Sequence, residues 1–169
     1  MDYRNCTLCP RRCGVDREAG QTGFCGMPAG LRIARAMLHY GEEPPISGSF
    51  GTGAVFFSGC TLRCVYCQNR EISAGGKGKA VSSEQLRALF ERLIDEGAQS
   101  IDLVTPTHFL PSILPALTPK LPVPVVYNFG GYERVDKSVV YHTWSKDPQL
   151  GDGFPIYVPA RTALVLRRV

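Results

Sequence analysis

The chain has 169 residues, 44% of them hydrophobic and 20% charged, with a formal net charge of +4. That length suits one well-buried domain with a small appendage, and the composition is that of a soluble globular protein. Six arginines against three acids in the first forty residues make a bias rather than a basic patch, so no nucleic-acid partner is expected. No charged start leads into an apolar stretch and cleavage site, and no apolar run approaches membrane-spanning length. A cytoplasmic protein without a membrane partner is the expectation.

Residues 1 to 30 are short on apolar periodicity and rich in Cys, Gly and Arg. Such a segment has little core of its own and would need a metal to fold. Its cysteines, Cys6, Cys9, Cys13 and Cys25, form a closed four-ligand set spaced x2, x3 and x11. Four sulfurs suit zinc or an iron–sulfur cluster, and spacing does not separate the two. Free structural thiols are the plainer alternative. "LRIARAMLHY" reads as a strand or a short helix, and "GEEPPISGSFGTG" as a turn-rich connector.

"AVFFSG" is a short buried strand that runs straight into Cys60, Cys64 and Cys67, spaced C-x3-C-x2-C. Seven cysteines at close spacing, an odd number, argue against a disulfide framework. Three thiolates leave one iron of a cubane without a protein ligand, the open position that a catalytic metal site keeps for its substrate. Gly59 permits close backbone approach, and Tyr66 sets a ring beside the open position. A structural zinc or a chance group of buried cysteines is the competing account. "GGKGK" lacks the spacing and the Ser/Thr of a phosphate-binding loop and reads as a solvated loop.

"VSSEQLRALFERLIDEGA" is a helix: Ser82 and Gln85 have capping-box spacing, Leu86, Leu89, Phe90, Leu93 and Ile94 share a face, and Gly97 stops it. "SIDLVTP" is then a strand, "PSILPAL" a short helix and "VPVVYN" a third strand. Strand and helix alternate as in parallel βαβ units, whose chemistry gathers at the C-terminal strand ends. Those ends are Gly59–Cys67, Thr105–His108 and Asn128–Glu133. His108 reads first as a hydrogen-bonded loop histidine, and His39 near Glu42 and Glu43 as a surface ion-pair group. After Val135 the pattern dissolves, and His142 and Trp144 have no assigned role.

"GCTLRCVYCQN" resembles the signature loop of the radical S-adenosylmethionine (SAM) enzymes, including the aromatic before the third cysteine. With "NCTLCPRRCGVDREAGQTGFCG", "EEPPISG", "DLVTPTHF" and "VYNFGGYERV", the match from residue 5 to about 135 resembles the branch related to the pyruvate formate-lyase activating enzyme. The resemblance implies a [4Fe–4S] cluster on Cys60, Cys64 and Cys67, with SAM chelating the fourth iron. Reductive cleavage would give a 5′-deoxyadenosyl radical, and the substrate would be a backbone glycine of a glycyl radical enzyme. A flavodoxin- or ferredoxin-type donor would supply the electron. It also implies SAM contacts from Tyr66, from Asn128, and from Thr105 and Thr107, which stand where the family has a glycine-rich segment. A structural zinc or a second iron–sulfur cluster would occupy the N-terminal cysteines.

The expected architecture is therefore an α/β, partial parallel (βα) radical SAM barrel, incomplete, with a Cys-rich N-terminal metal-binding segment. Residues 1–45 form that segment, 46–135 the N-terminal half of the core, and 136–169 an atypical tail. Only three core strands are recognisable, and "IYVPA", with Ala160, stands where the family's fourth strand carries an acid. The tail suggests truncation or a frame change. Half a barrel would expose an edge strand and an apolar face, and so would be poorly soluble without a covering partner. The alternative to an active enzyme is a catalytically impaired iron–sulfur- or zinc-binding fragment. A zinc-ribbon nucleic-acid binder is a weaker third.

Overall fold

The structure, a computed structural model, describes residues 2–130. The tail expected at 136–169 lies outside the described residues. In chain order the elements are β1 (Arg32–His39), α1 (Pro44–Ser47), β2 (Thr52–Phe57), α2 (Arg70–Ser73), β3 (Lys79–Ala80), α3 (Ser83–Asp95), β4 (Ile101–Val104), a 3-10 turn (Thr107–Phe109), α4 (Leu110–Ala116) and β5 (Val125–Asn128). Among the described residues no helix is long and apolar enough to cross a membrane.

The strands form one sheet in the order β3-β1-β2-β4-β5. β2, β4 and β5 run parallel, with Val55 opposite Leu103 and Leu103 opposite Tyr127. These are the three core strands legible in the sequence. The segment left open between strand and helix is a strand, β1, and it pairs antiparallel with β2, Met37 facing Ala54. The connector between them holds only the single turn α1 and no helix to carry a parallel crossover, and the chain doubles back. β3 then adds antiparallel to β1 at the end of the "GGKGK" loop, with Lys79 opposite Ile33. The sheet is therefore mixed, with a parallel half and an antiparallel half. β1 belongs to the Cys-rich segment by sequence and to the sheet by pairing.

α3 begins as its sequence predicts. Gln85 N donates to Ser82 Oγ at 3.2 Å and Ser82 N donates to Gln85 Oε1 at 2.9 Å, closing the capping box. Leu86, Phe90 and Leu93 are fully buried and join Val55, Phe57, Ile101 and Leu103 in one core between helix and sheet. Gly53 admits that contact: a Cβ there would stand 3.1 Å from Leu93 Cβ and 2.8 Å from Ile101 Cδ1. The helical cover runs out at β5, where Val125 and Tyr127 are 39% and 38% exposed.

Ile101 and Leu103 take the helix side of β4, so the pleat turns Asp102 to the opposite face. Asp102 is 0% exposed; its Oδ2 accepts from Asn128 Nδ2 at 3.4 Å, and its Oδ1 has no partner among the described residues. Burial, reinforced by repulsion from Glu42 and Glu43, pushes its carboxyl up to about 7, against the weaker pull of the Asn128 bond.

Two outcomes follow from this packing. Phe90→Ala should cost about 3–5 kcal/mol in a denaturant titration, since it empties the centre of the core. Asp102 binds its proton more tightly folded than unfolded, where its pKa is about 3.9. Its contribution is therefore full below about pH 4 and is lost as pH rises through about 7. Asp102→Asn cannot ionise, so its unfolding free energy in a denaturant titration should gain on wild type between about pH 5 and about pH 8, by an amount on the order of 2–4 kcal/mol. A pH-independent difference between the two proteins would refute the assignment.

Candidate metal and cofactor site

β2 ends at Phe57, and the chain turns at Gly59, whose φ is +80°. No side chain fits there: a Cβ would collide with Met27 Cγ and stand 2.8 Å from the Cys25 carbonyl oxygen and 3.3 Å from His108 Nε2. The loop that follows carries Cys60, Cys64 and Cys67, all partly exposed. Backbone N–H groups of Leu62 and Arg63 donate to Cys60 Sγ at 3.3 and 3.5 Å, and Ser73 Oγ donates to Cys67 Sγ at 3.4 Å. Cys67 N donates to Cys64 O at 3.2 Å, and Arg63 adopts a left-handed φ of +52° that tightens the turn. Val65 and Tyr66 form the exposed apex, at 90% and 61%.

The other two strand ends meet this loop. A Cβ on Gly130 would lie 3.1 Å from Leu62 Cδ2, so the turn after β5 touches the cysteine loop. Thr105 is partly exposed and has φ +60°, a conformation a β-branched residue adopts only under constraint; its N–H donates to Asn128 O at 2.8 Å. Asn128 is partly exposed, with its amide toward Asp102. Thr107 is buried, and its Oγ1 accepts from the Tyr127 hydroxyl at 2.6 Å.

His108 is 1% exposed, and its Nε2 donates to Ser58 O at 2.7 Å. Burial, aided by the neighbouring Arg17 cation, holds its pKa down at about 4. The ring is therefore neutral, leaving Nδ1 an unprotonated acceptor with no partner among the described residues. His108 is thus the hydrogen-bonded loop histidine the sequence suggests. His39 Nε2 lies 3.7 Å from Glu42 Oε1, a partly exposed pair as expected. A cleft of about 250 Å³ lined by Ser83, Arg87, Glu91 and Thr118 lies between α3 and α4.

The segment that carries the four N-terminal cysteines packs against the same loop: Arg11 Nε donates to Thr61 O at 3.2 Å, and the Cys25 carbonyl lies against Gly59. Cys6 and Cys25 are buried, Cys9 is partly exposed and Cys13 exposed. Burial raises the Cys9 thiol first, and Cys13, Cys25 and Cys6 raise it further by repulsion, so the four sulfurs sense one another. Phe24 N donates to Cys13 Sγ at 3.4 Å. Among the described residues no three Cys, His, Asp or Glu side chains converge tightly enough to hold a single metal ion. A cubane asks less of its ligands, because each thiolate binds a different iron. The donors directed at Cys60 and Cys67, the soft sulfur set and the glycine-lined approach suit an iron–sulfur cluster at the three-cysteine loop.

Sequence reasoning missed two residues here, Asp102 and Arg17. Asp102 had a signal, one acid inside an otherwise apolar strand. Arg17, 1% exposed, had none, as one of six arginines in a polar segment.

Compared with known proteins, the chain is 31% identical over 144 residues to an uncharacterized protein of Methanocaldococcus jannaschii, an alignment covering 79% of this chain and 41% of that protein. The chain thus spans well under half the length of that curated relative. No solved structure matches. The Radical SAM superfamily model matches residues 54–119, from β2 through the cysteine loop, α3 and β4 to the end of α4.

Proposed function

We propose that this chain is a radical SAM enzyme of the glycyl-radical-enzyme activating type, with Cys60, Cys64 and Cys67 as the ligands of its cluster. The observation that carries the reading is the three-cysteine loop at the C-terminal end of a parallel strand, with N–H and O–H donors aimed at Cys60 and Cys67. A [4Fe–4S] cluster, when bound, supplies the electron that cleaves S-adenosylmethionine to methionine and a 5′-deoxyadenosyl radical.

The chain's own residues have positioning roles. The Cys60 thiolate is fixed by two backbone N–H groups and the Cys67 thiolate by Ser73. Thr105 keeps a left-handed backbone at the position where the resembled family has glycines, so its strained turn offers backbone groups and a hydroxyl to the SAM amine. Asn128, steadied by Asp102, offers its amide to the SAM carboxylate or ribose. Tyr66 and Val65, exposed at the loop apex, are where a glycyl radical enzyme and a flavodoxin- or ferredoxin-type donor would approach. Cys6, Cys9, Cys13 and Cys25 are read as a second metal set, a structural zinc or an iron–sulfur cluster.

A second reading, a metal-binding fragment without catalysis, is favoured by the exposed outer face of β5. One assay separates the two. Reconstituted without oxygen and reduced with dithionite, the protein should convert SAM to 5′-deoxyadenosine, and Cys64→Ala should fall to the uncatalysed background. A reconstituted wild-type chain that binds iron yet releases no 5′-deoxyadenosine would establish the fragment instead.

A further inference from the structure

Arg17 is 1% exposed, the largest fully buried side chain among the described residues. Four hydrogen bonds hold its guanidinium: Nε donates to Met27 O at 2.9 Å, Nη2 to Pro28 O at 2.8 Å, and Nη1 to His108 O at 2.6 Å and Cys6 Sγ at 3.7 Å. The rings of Tyr3 and Phe109 lie 4.7 and 5.4 Å from its central carbon. None of the ion pairs among the described residues includes it. Carbonyls and rings satisfy its donors but carry no net charge, and a cation buried without an anion is strongly destabilising. A guanidinium does not escape by losing its proton.

The one bonded neighbour able to hold a negative charge is Cys6 Sγ. A thiol is neutral, whereas an iron-bound thiolate is not, and a cubane held by four thiolates keeps a net negative charge. We propose that Arg17 is the counter-ion of an iron–sulfur cluster on Cys6, Cys9, Cys13 and Cys25, and the side chain that fixes this cluster to the cysteine loop of the SAM site. The inference rests on reading those four cysteines as a metal set. The link to the loop is continuous: Arg17 holds the His108 carbonyl, and His108 Nε2 holds Ser58 O, two residues before Cys60.

The test is a double-mutant cycle on the full chain, comparing wild type, Arg17→Gln, Cys9→Ala and the double variant. Zinc and iron per chain, metal retention against a chelator and melting temperature are the readouts. Wild type should carry more metal than Cys9→Ala, the difference being the N-terminal centre. Arg17→Gln should release that metal to chelator at least about tenfold more readily. Its effect on melting temperature should vanish or reverse in the Cys9→Ala background, where no anion is left to pair with. An equal loss of melting temperature in both backgrounds, with metal retention unchanged, would make Arg17 a hydrogen-bonding clasp and overturn the proposal. Equal metal in wild type and Cys9→Ala would instead sink the metal reading underneath it. If Arg17→Gln does not fold, Arg17→Lys decides, since it keeps the charge. Retention within about threefold of wild type supports the counter-ion role, and a loss as large as about tenfold refutes it.

Discussion

One buried guanidinium holds together segments that local structure leaves separate. Arg17 draws its acceptors from Met27 and Pro28, just after the turn that carries Cys25, and from His108, 91 positions along the chain. His108 in turn bonds the carbonyl of Ser58 at the end of β2. Backbone carbonyls fix position more closely than side chains do, because the chain on either side is itself held in turns and strands. The Cys-rich segment has few buried apolar residues of its own, chiefly Tyr3, Met27 and the two cysteines Cys6 and Cys25. Its place on the sheet therefore depends on polar bonds that reach the core, with the Tyr3 hydroxyl bonded to Ser112 Oγ on α4 as a second tie.

This arrangement divides labour between a rigid floor and an open rim. Val55, Phe57, Ile101 and Leu103 are buried to 1% exposure or less, and α3 packs directly onto them. A few residues on, at the same ends of the same strands, Cys60, Thr105 and Asn128 are partly exposed. Parallel strands place their C-terminal ends side by side, so three loops distant in sequence share one edge. The antiparallel pairs of β1 with β2 and of β3 with β1 extend the sheet on the other side, with Ile33 and Lys79 level with Phe57 beside that edge. What they contribute is cover, since β1 shields β2 along its length.

The elements legible in sequence are those whose signal is local. The capping box and apolar face of α3 report bonds between residues three and four apart, and the cysteine spacing reports ligands on one loop. β1 was ambiguous because "RIARAMLH" alternates poorly: its residues grade from buried Ile33 to exposed Arg35, as befits a strand with neighbours on both sides and uneven cover. Its antiparallel direction goes with a connector that holds a single helical turn, which composition alone does not weigh. Thr105 and Asn128 could be placed at strand ends, but the strained backbone of Thr105 comes from its bond to a strand 23 residues later. Asp102 and Arg17 escaped for the same reason, since burial is a property of the assembled sheet rather than of neighbours in sequence.

Those two residues present the same problem with different solutions. Each is an ionisable group taken out of water with no oppositely charged side chain bonded to it among the described residues. Asp102 solves it by protonation: a carboxyl pushed up to about 7 is neutral below that pH, and its remaining bond to Asn128 asks for no charge. Arg17 has no neutral form to retreat to. The charge that balances it must come from its surroundings, and those surroundings are three carbonyls, two aromatic rings and a sulfur. Carbonyl dipoles and ring faces lower the cost of the cation without cancelling it, whereas a thiolate cancels it outright. The same residue that anchors the N-terminal segment therefore ties its stability to the charge state of the sulfur beside it.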